Sequence, residues 1–251
     1  RGGSCILMRQ GRFILNGISS EEFACVIQDR PEIETPRRKV EFKSAYGQSE
    51  SMPFDEEAYE NTEMELICYV EGSENRSASD NRELIQDWFD SGRYMDFIPY
   101  FDPNKVYKVM TIDPPKFSPK VFMDEGQPFE VTLTIKPYKF YLPDRNLELT
   151  SAGTIFNPTS KTALPVIKIF GTGNVTLTVN GLPFVIKNIL GEMVLDCNLG
   201  LAYREDITTM YNENSKIFTR AYPFLKVGSN AISWTGTVTK VEIEPRWRTL
   251  A

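Results

Sequence analysis

None of the 251 residues is histidine. That absence removes Ser-His-Asp and Cys-His nucleophile systems, imidazole acid–base chemistry and His-built metal sites together. Cysteine is scarce: Cys5, Cys25, Cys68 and Cys197 are widely separated and form no Cys-x-x-Cys pair. Three of them sit in apolar, strand-like settings and read as reduced, buried thiols rather than disulfides or metal ligands. No apolar run approaches the roughly 20 residues that cross a bilayer. Nothing resembles a signal peptide, so no membrane partner is expected, and the Asn-x-Ser/Thr positions at Asn75 and Asn174 carry little weight. Gly171-Thr172-Gly173 has no Lys-Ser/Thr and no helix after it, so it reads as a turn, not a phosphate loop. No basic stripe is interleaved with aromatics, which argues against binding nucleic acid. The 34 acidic residues supply chance carboxylate pairs such as Asp55 and Glu56, so no enzyme activity and no cofactor or metal is expected.

What is present is an ordinary globular composition, 41% hydrophobic and 25% charged, in a chain long enough for one large domain or two small ones. Residues 1–7 read as a cloning scar, with Met8 as the native start. Charge is unevenly divided: residues 1–138 hold 16 Lys and Arg against 25 Asp and Glu, whereas residues 139–251 hold 12 against 9. Between Ser44 and Asn75 there are nine acids and no base. This stretch reads either as a solvated acidic loop or as a fixed negative surface with a role.

The spacing predicts one helix. Asp80 and Glu83 have the separation of a capping box, Leu84, Ile85, Trp88 and Phe89 recur at helical period, and Gly92 stands where helices end. So short a helix is marginal alone and must dock on a sheet. Strands are expected at Arg12–Ile27 around an Asn16-Gly17 turn, at Lys39–Tyr46, Glu63–Val70, Tyr94–Tyr100, Val106–Ile112, Phe117–Met123 and Phe129–Tyr138. Val40, Phe42 and Tyr46 alternate with charged or small residues, and Met64, Leu66, Cys68 and Val70 share a face. The stretch from Glu50 is read as acidic loop, broken by Pro53. A loosely patterned segment carrying Pro143 places a domain boundary near residue 140.

Beyond it, short strands with turns every 8–12 residues predict a β-sandwich: Thr154–Phe156, Leu164–Phe170, Asn174–Val179, Leu182–Ile189, Met193–Cys197, Ile217–Tyr222, Asn230–Thr235 and Val238–Ile243. Trp234 and Trp247 could build a sugar-stacking platform, but core packing is the simpler role. The fold class is therefore mostly β. An α+β domain over 8–140 precedes a β-sandwich over 141–251.

Several motifs in order carry a resemblance. Phe13-Ile14-Leu15-Asn16-Gly17 with Ser20 and Phe23, then Arg38 leading to Tyr46-Gly47, then Trp88-Phe89 with Gly92-Arg93-Tyr94, resemble the first half of siphophage distal tail proteins. Phe170-Gly171-Thr172-Gly173-Asn174-Val175, Leu195-Asp196-Cys197, the run from Pro223 to Asn230 and the ending Ile243–Arg248 resemble the second half. The resemblance implies a virion structural protein, a ring-forming belt domain followed by a galectin-like domain, and a hexameric ring. Its implied partners are further copies of itself, the tail tube protein, the tail-associated hub protein and receptor-binding or baseplate proteins. Assembly would take place in the host bacterial cytoplasm, and DNA would pass through without specific binding. Ring contacts are expected at Val40, Phe42, Tyr46, Met64 and Leu66, because an exposed alternating strand is an edge that must be covered. Glu50, Asp55, Glu56, Glu57 and Glu60 are expected to face the opening. The alternative is a carbohydrate-binding or adhesion module, which would need no ring.

Overall fold

The computed structural model describes residues 8–44, 46–47, 49–72, 76–118, 126–142, 146–205 and 209–251. The expectations for Cys5, Asn75, Pro143 and the 119–123 part of the Phe117–Met123 strand lie outside them. The chain divides into two compact units: residues 1–139 with Leu250 and Ala251, and residues 140–249.

In the first unit the strands are β1 (Phe13–Leu15), β2 (Ile18–Ser19), β3 (Cys25–Ile27), β4 (Arg38–Ser44), β5 (Ser51–Tyr59) and β6 (Thr62–Glu71). After α1 (Ala78–Phe89) come β7 (Met95–Pro99), β8 (Lys105–Thr111), β9 (Lys116–Phe117) and β10 (Gly126–Tyr141). The main sheet runs β2-β1-β7-β8-β10-β6-β3. Asn16 and Gly17 both take left-handed φ between β1 and β2, the geometry that favours Asn-Gly at a two-residue hairpin. Along β6 every second side chain from Thr62 to Val70 is buried. Met64, Leu66, Cys68 and Val70 therefore join Ile85, Trp88 and Phe89 of α1 in one core.

The helix starts earlier than its sequence pattern predicts. Ser77, not Asp80, is the N-cap: its hydroxyl accepts from the Asp80 N–H while the Asp80 carboxylate accepts from the Ser77 N–H. Ser and Asp at that spacing form the same reciprocal box as Ser and Glu. Leu84 falls outside the buried stripe, at 37% exposure. The helix closes at Asp90, whose N–H donates to the Gln86 carbonyl, before Gly92 is reached.

The acidic stretch is not a loop. Ser51–Tyr59 is a strand paired antiparallel with β4, and together they form a separate two-stranded sheet. Pro53 is accommodated because such a ribbon has two edges, where a missing N–H costs no ladder bond.

In the second unit the strands are β11 (Leu147–Leu149), β12 (Gly153–Asn157), β13 (Val166–Val179), β14 (Leu182–Asp196), β15 (Leu201–Glu205), β16 (Met210–Asn212) and β17 (Gly228–Glu244). They form a sheet in the order β11-β17-β13-β14-β15-β16, with β12 also on β17; β18 (Arg248–Leu250) pairs with β10. Three predicted breaks are corrected. Gly171-Thr172-Gly173 lies inside β13, Leu182–Ile189 and Met193–Cys197 are one strand, and so are Asn230–Thr235 and Val238–Ile243.

Bulges let these long strands bend instead of ending. Gly171 faces Gly191 on one side and Val238 on the other, and the registers shift around it. A Cβ on Gly171 would lie 2.3 Å from the Thr237 carbonyl oxygen, so only glycine allows this approach. Residues from both halves of each strand share one core: Ile167 with Leu177 on β13, Phe184 with Leu195 on β14, and Ile232 with Ile243 on β17. Trp247 belongs to that core and Trp234 packs against it. The predicted strand over Ile217–Tyr222 is only a bridge from Ile217 to Ile186; β15 and β16 occupy the sheet edge instead.

Candidate assembly surfaces

The β4–β5 ribbon carries apolar side chains on both faces. The register sets Val40 opposite Asp55 and Phe42 opposite Pro53 on one face, with Glu41 opposite Phe54 and Lys43 opposite Met52 on the other. Phe42 is 69% exposed, Met52 57% and Phe54 51%. The Lys43 ammonium lies 5.0 Å over the Phe54 ring and 3.1 Å from Glu41. An isolated two-stranded ribbon is marginal in water, and apolar groups on both its faces can be buried only by something else.

The ribbon's inner end is tied down. Arg38 forms a two-pronged ion pair with Asp55, with Nε 2.9 Å from both carboxylate oxygens. The Glu57 N–H donates to the same carboxylate at 2.9 Å. The Arg38 hydrogen bond, with help from Glu57, holds the Asp55 carboxyl below its ordinary range, and Asp55 in turn raises the Arg38 guanidinium. Glu57 takes a left-handed φ of 54° where the register slips between Arg38 and Val40. Farther in, Tyr59 meets Tyr138 edge-on at 5.9 Å between ring centroids.

Among the expected contact residues, Val40, Phe42 and Tyr46 are exposed on or beside this ribbon. Met64 and Leu66 are not: they are 1% and 0% exposed, because their face of β6 is the one that packs on α1. Their side chains cannot meet a neighbouring copy, and that expectation is corrected. The β6 backbone is only partly covered. β10 pairs with it from Thr62 to Glu71, but β3 reaches only Cys68–Val70 on the other side. From Thr62 to Leu66 no strand pairs with that outer edge among the described residues.

All five expected opening residues are exposed on or beside β5: Glu50, Asp55, Glu56, Glu57 and Glu60. Asp55 is neutralised by Arg38, and the partner strand β4 brings Lys39 and Lys43 alongside. The folded ribbon is thus less negative than its acidic strand alone. Met52 and Phe54 were missed by the sequence reading because they lay in a segment taken for loop; their alternation with Pro53 was the available signal.

No family model and no curated protein matches the sequence. Solved structures do match. The crystal structure of the SPP1 Dit (gp 19.1) protein, described as a paradigm of the hub adsorption apparatus in phages infecting Gram-positive bacteria, aligns over 93% of this chain and 98% of its own at a TM-score of 0.67 and 10% identity. The phage P2 baseplate in its activated conformation with Ca aligns over 92% of this chain and 96% of the matched chain, at a TM-score of 0.56 and 10% identity. The resemblance to siphophage distal tail proteins read from scattered sequence motifs thus has a counterpart in three dimensions: the chain has the fold of a phage tail hub protein.

Proposed function

We propose that this protein is a structural, non-enzymatic component of a phage tail tip, forming a closed hexameric ring that joins the tail tube to the baseplate. The observation that carries the reading is the β4–β5 ribbon, a separate two-stranded sheet with Phe42, Met52 and Phe54 exposed on opposite faces. On a chain with the hub fold, such an arm is best explained as a segment buried against the next copy. The open Thr62–Leu66 edge of β6 offers it a landing place, since an added strand would supply the missing ladder bonds. Head-to-tail contacts of this kind close into rings when the rotation permits.

The ring would sit in the virion between the tail tube protein above and the tail-associated hub protein below, with receptor-binding or baseplate proteins around it. Assembly in the host bacterial cytoplasm agrees with the free, buried thiols of Cys25, Cys68 and Cys197. DNA would pass through the opening, and Glu56 and Glu57 of β5, which pair with no cation among the described residues, would keep it from sticking. Native mass spectrometry of the full chain, with negative-stain imaging, tests the reading. A closed ring that disappears when residues 38–59 are replaced by a short linker is the expected result. A chain that stays monomeric at high concentration and with its neighbouring tail proteins present would refute it.

A further inference from the structure

The outward face of the second unit's sheet holds a cleft of about 210 Å³ that the ring reading does not use. Its construction follows from strand register. Glu148, Glu242, Lys168, Val194 and Tyr203 stand in one cross-strand row on β11, β17, β13, β14 and β15. Glu244, Val166 and Asp196 form the row beside it. Val166 and Val194 therefore make an apolar floor, with charged side chains rising on either side. Arg246 turns back through a left-handed φ of 53° and sets its guanidinium 3.1 Å from both Asp196 oxygens. Lys168 is held 3.0 Å from Glu192 and 4.0 Å from Glu205. The Tyr203 hydroxyl makes no hydrogen bond among the described residues, and burial followed by the Glu205 charge pushes its pKa up, so it remains a donor at neutral pH.

We infer that this cleft binds a neutral pyranose ring, as a surface polysaccharide would present. An inorganic anion would meet Glu205, Glu242 and Glu244, and a bare cation would meet Lys168 and Arg246. A neutral polyol suits a lining that mixes donors and acceptors of both signs, with Glu242 held by Lys240 at 2.6 Å, over an aliphatic floor for the C–H face of the ring. The cations are fixed in place by their own carboxylates, so little side-chain freedom is lost on binding. Every lining residue belongs to the second unit, so the inference stands or falls independently of ring formation.

The test is amide chemical-shift mapping on the ¹⁵N-labelled full chain. Glucose, galactose, N-acetylglucosamine and inorganic phosphate are titrated separately, beside an array of neutral bacterial oligosaccharides. Saturable shifts confined to Lys168, Val194, Tyr203 and Glu242 with at least one neutral sugar are expected. Tyr203→Phe and Glu205→Gln should each weaken that binding by about tenfold or more while leaving the melting curve unchanged. Response to phosphate without response to any sugar, saturable shifts elsewhere only, or no response on the array and in solution would each overturn it.

Discussion

Trp88 stacks on Phe13 with ring planes 10° apart and centroids 5.4 Å apart, while its indole N–H donates to the Leu15 carbonyl at 3.2 Å. The helix and the first strand are thus joined by both an apolar and a polar contact through one side chain. Phe23 and Phe89 close the cluster at 4.7 and 5.4 Å from the same ring. Trp88→Ala should cost about 3–5 kcal/mol in chemical denaturation, the range for a large buried aromatic. Trp88→Phe should cost less but still measurably, because the Leu15 carbonyl loses its donor. An unchanged denaturation midpoint for Trp88→Ala would show that the helix is not anchored there.

The ribbon separates assembly from folding. Phe42→Glu and Phe54→Glu lie on opposite faces and touch no core, so neither should move the melting temperature. Each should loosen the ring by about 2 kcal/mol per interface if it acts as an aromatic anchor. Light scattering against concentration reads this directly. Loss of folding with loss of the ring would show that the ribbon is structural within one copy.

Glu50, Glu56 and Glu60 are the acids to reverse, since Asp55 is already paired with Arg38. Particles carrying Lys at these three positions should release DNA more slowly, with the defect relieved by salt, which screens charges over about 8–10 Å. Unaltered ejection would put these side chains away from the DNA path.

Burial, reinforced by the Asp196 charge, pushes the Cys197 thiol up to about 12. An unfolded thiol ionises near about 8.5. As pH rises the unfolded chain loses its proton first, so this contribution is intact below about 8.5 and is lost progressively towards 12. Denaturation midpoints should fall across that window, and Cys197→Ala should flatten the slope. A slope indifferent to the substitution would show that the thiol is solvated in the folded chain. Folded protein at pH 8 should also leave Cys197 unmodified by thiol reagents.

The Gly171 approach to Thr237 permits one more test. Gly171→Ala must push β13 away from β17 at the bend and should cost about 1–3 kcal/mol, the usual range for overpacking. Gly181→Ala offers a comparison: it sits in open space, so only the strain of its φ of 81° should register.

How much was legible depended on local chemistry. The β6 alternation, the Asn16-Gly17 turn and the Ile85, Trp88 and Phe89 part of the helical stripe each carry their signal within a few residues. Bulges do not. Gly171 and Gly236 look like strand ends in sequence, because a glycine that permits a close interstrand approach is indistinguishable there from one that permits a turn. The ribbon was half legible. Phe42 stood out on β4, but on β5 the carboxylates and Pro53 hid a pairing that depends on β4 lying opposite. The polar cleft was not legible at all, since Lys168, Tyr203 and Glu242 are brought together only by register.

That register also bears on synthesis. β17 pairs with β11, β12 and β13, yet at Gly228–Glu244 it follows all three of them in the chain. While a ribosome still holds those residues, the β13 flank that β17 will cover remains an open edge. Closing pairs such as Lys168 with Glu242 are separated by most of the domain's length, which makes them slow to form. Until β17 is made, β13 keeps one flank open and β11 and β12 lack their partner, a state in which a chaperone or a neighbouring chain can bind the exposed edge.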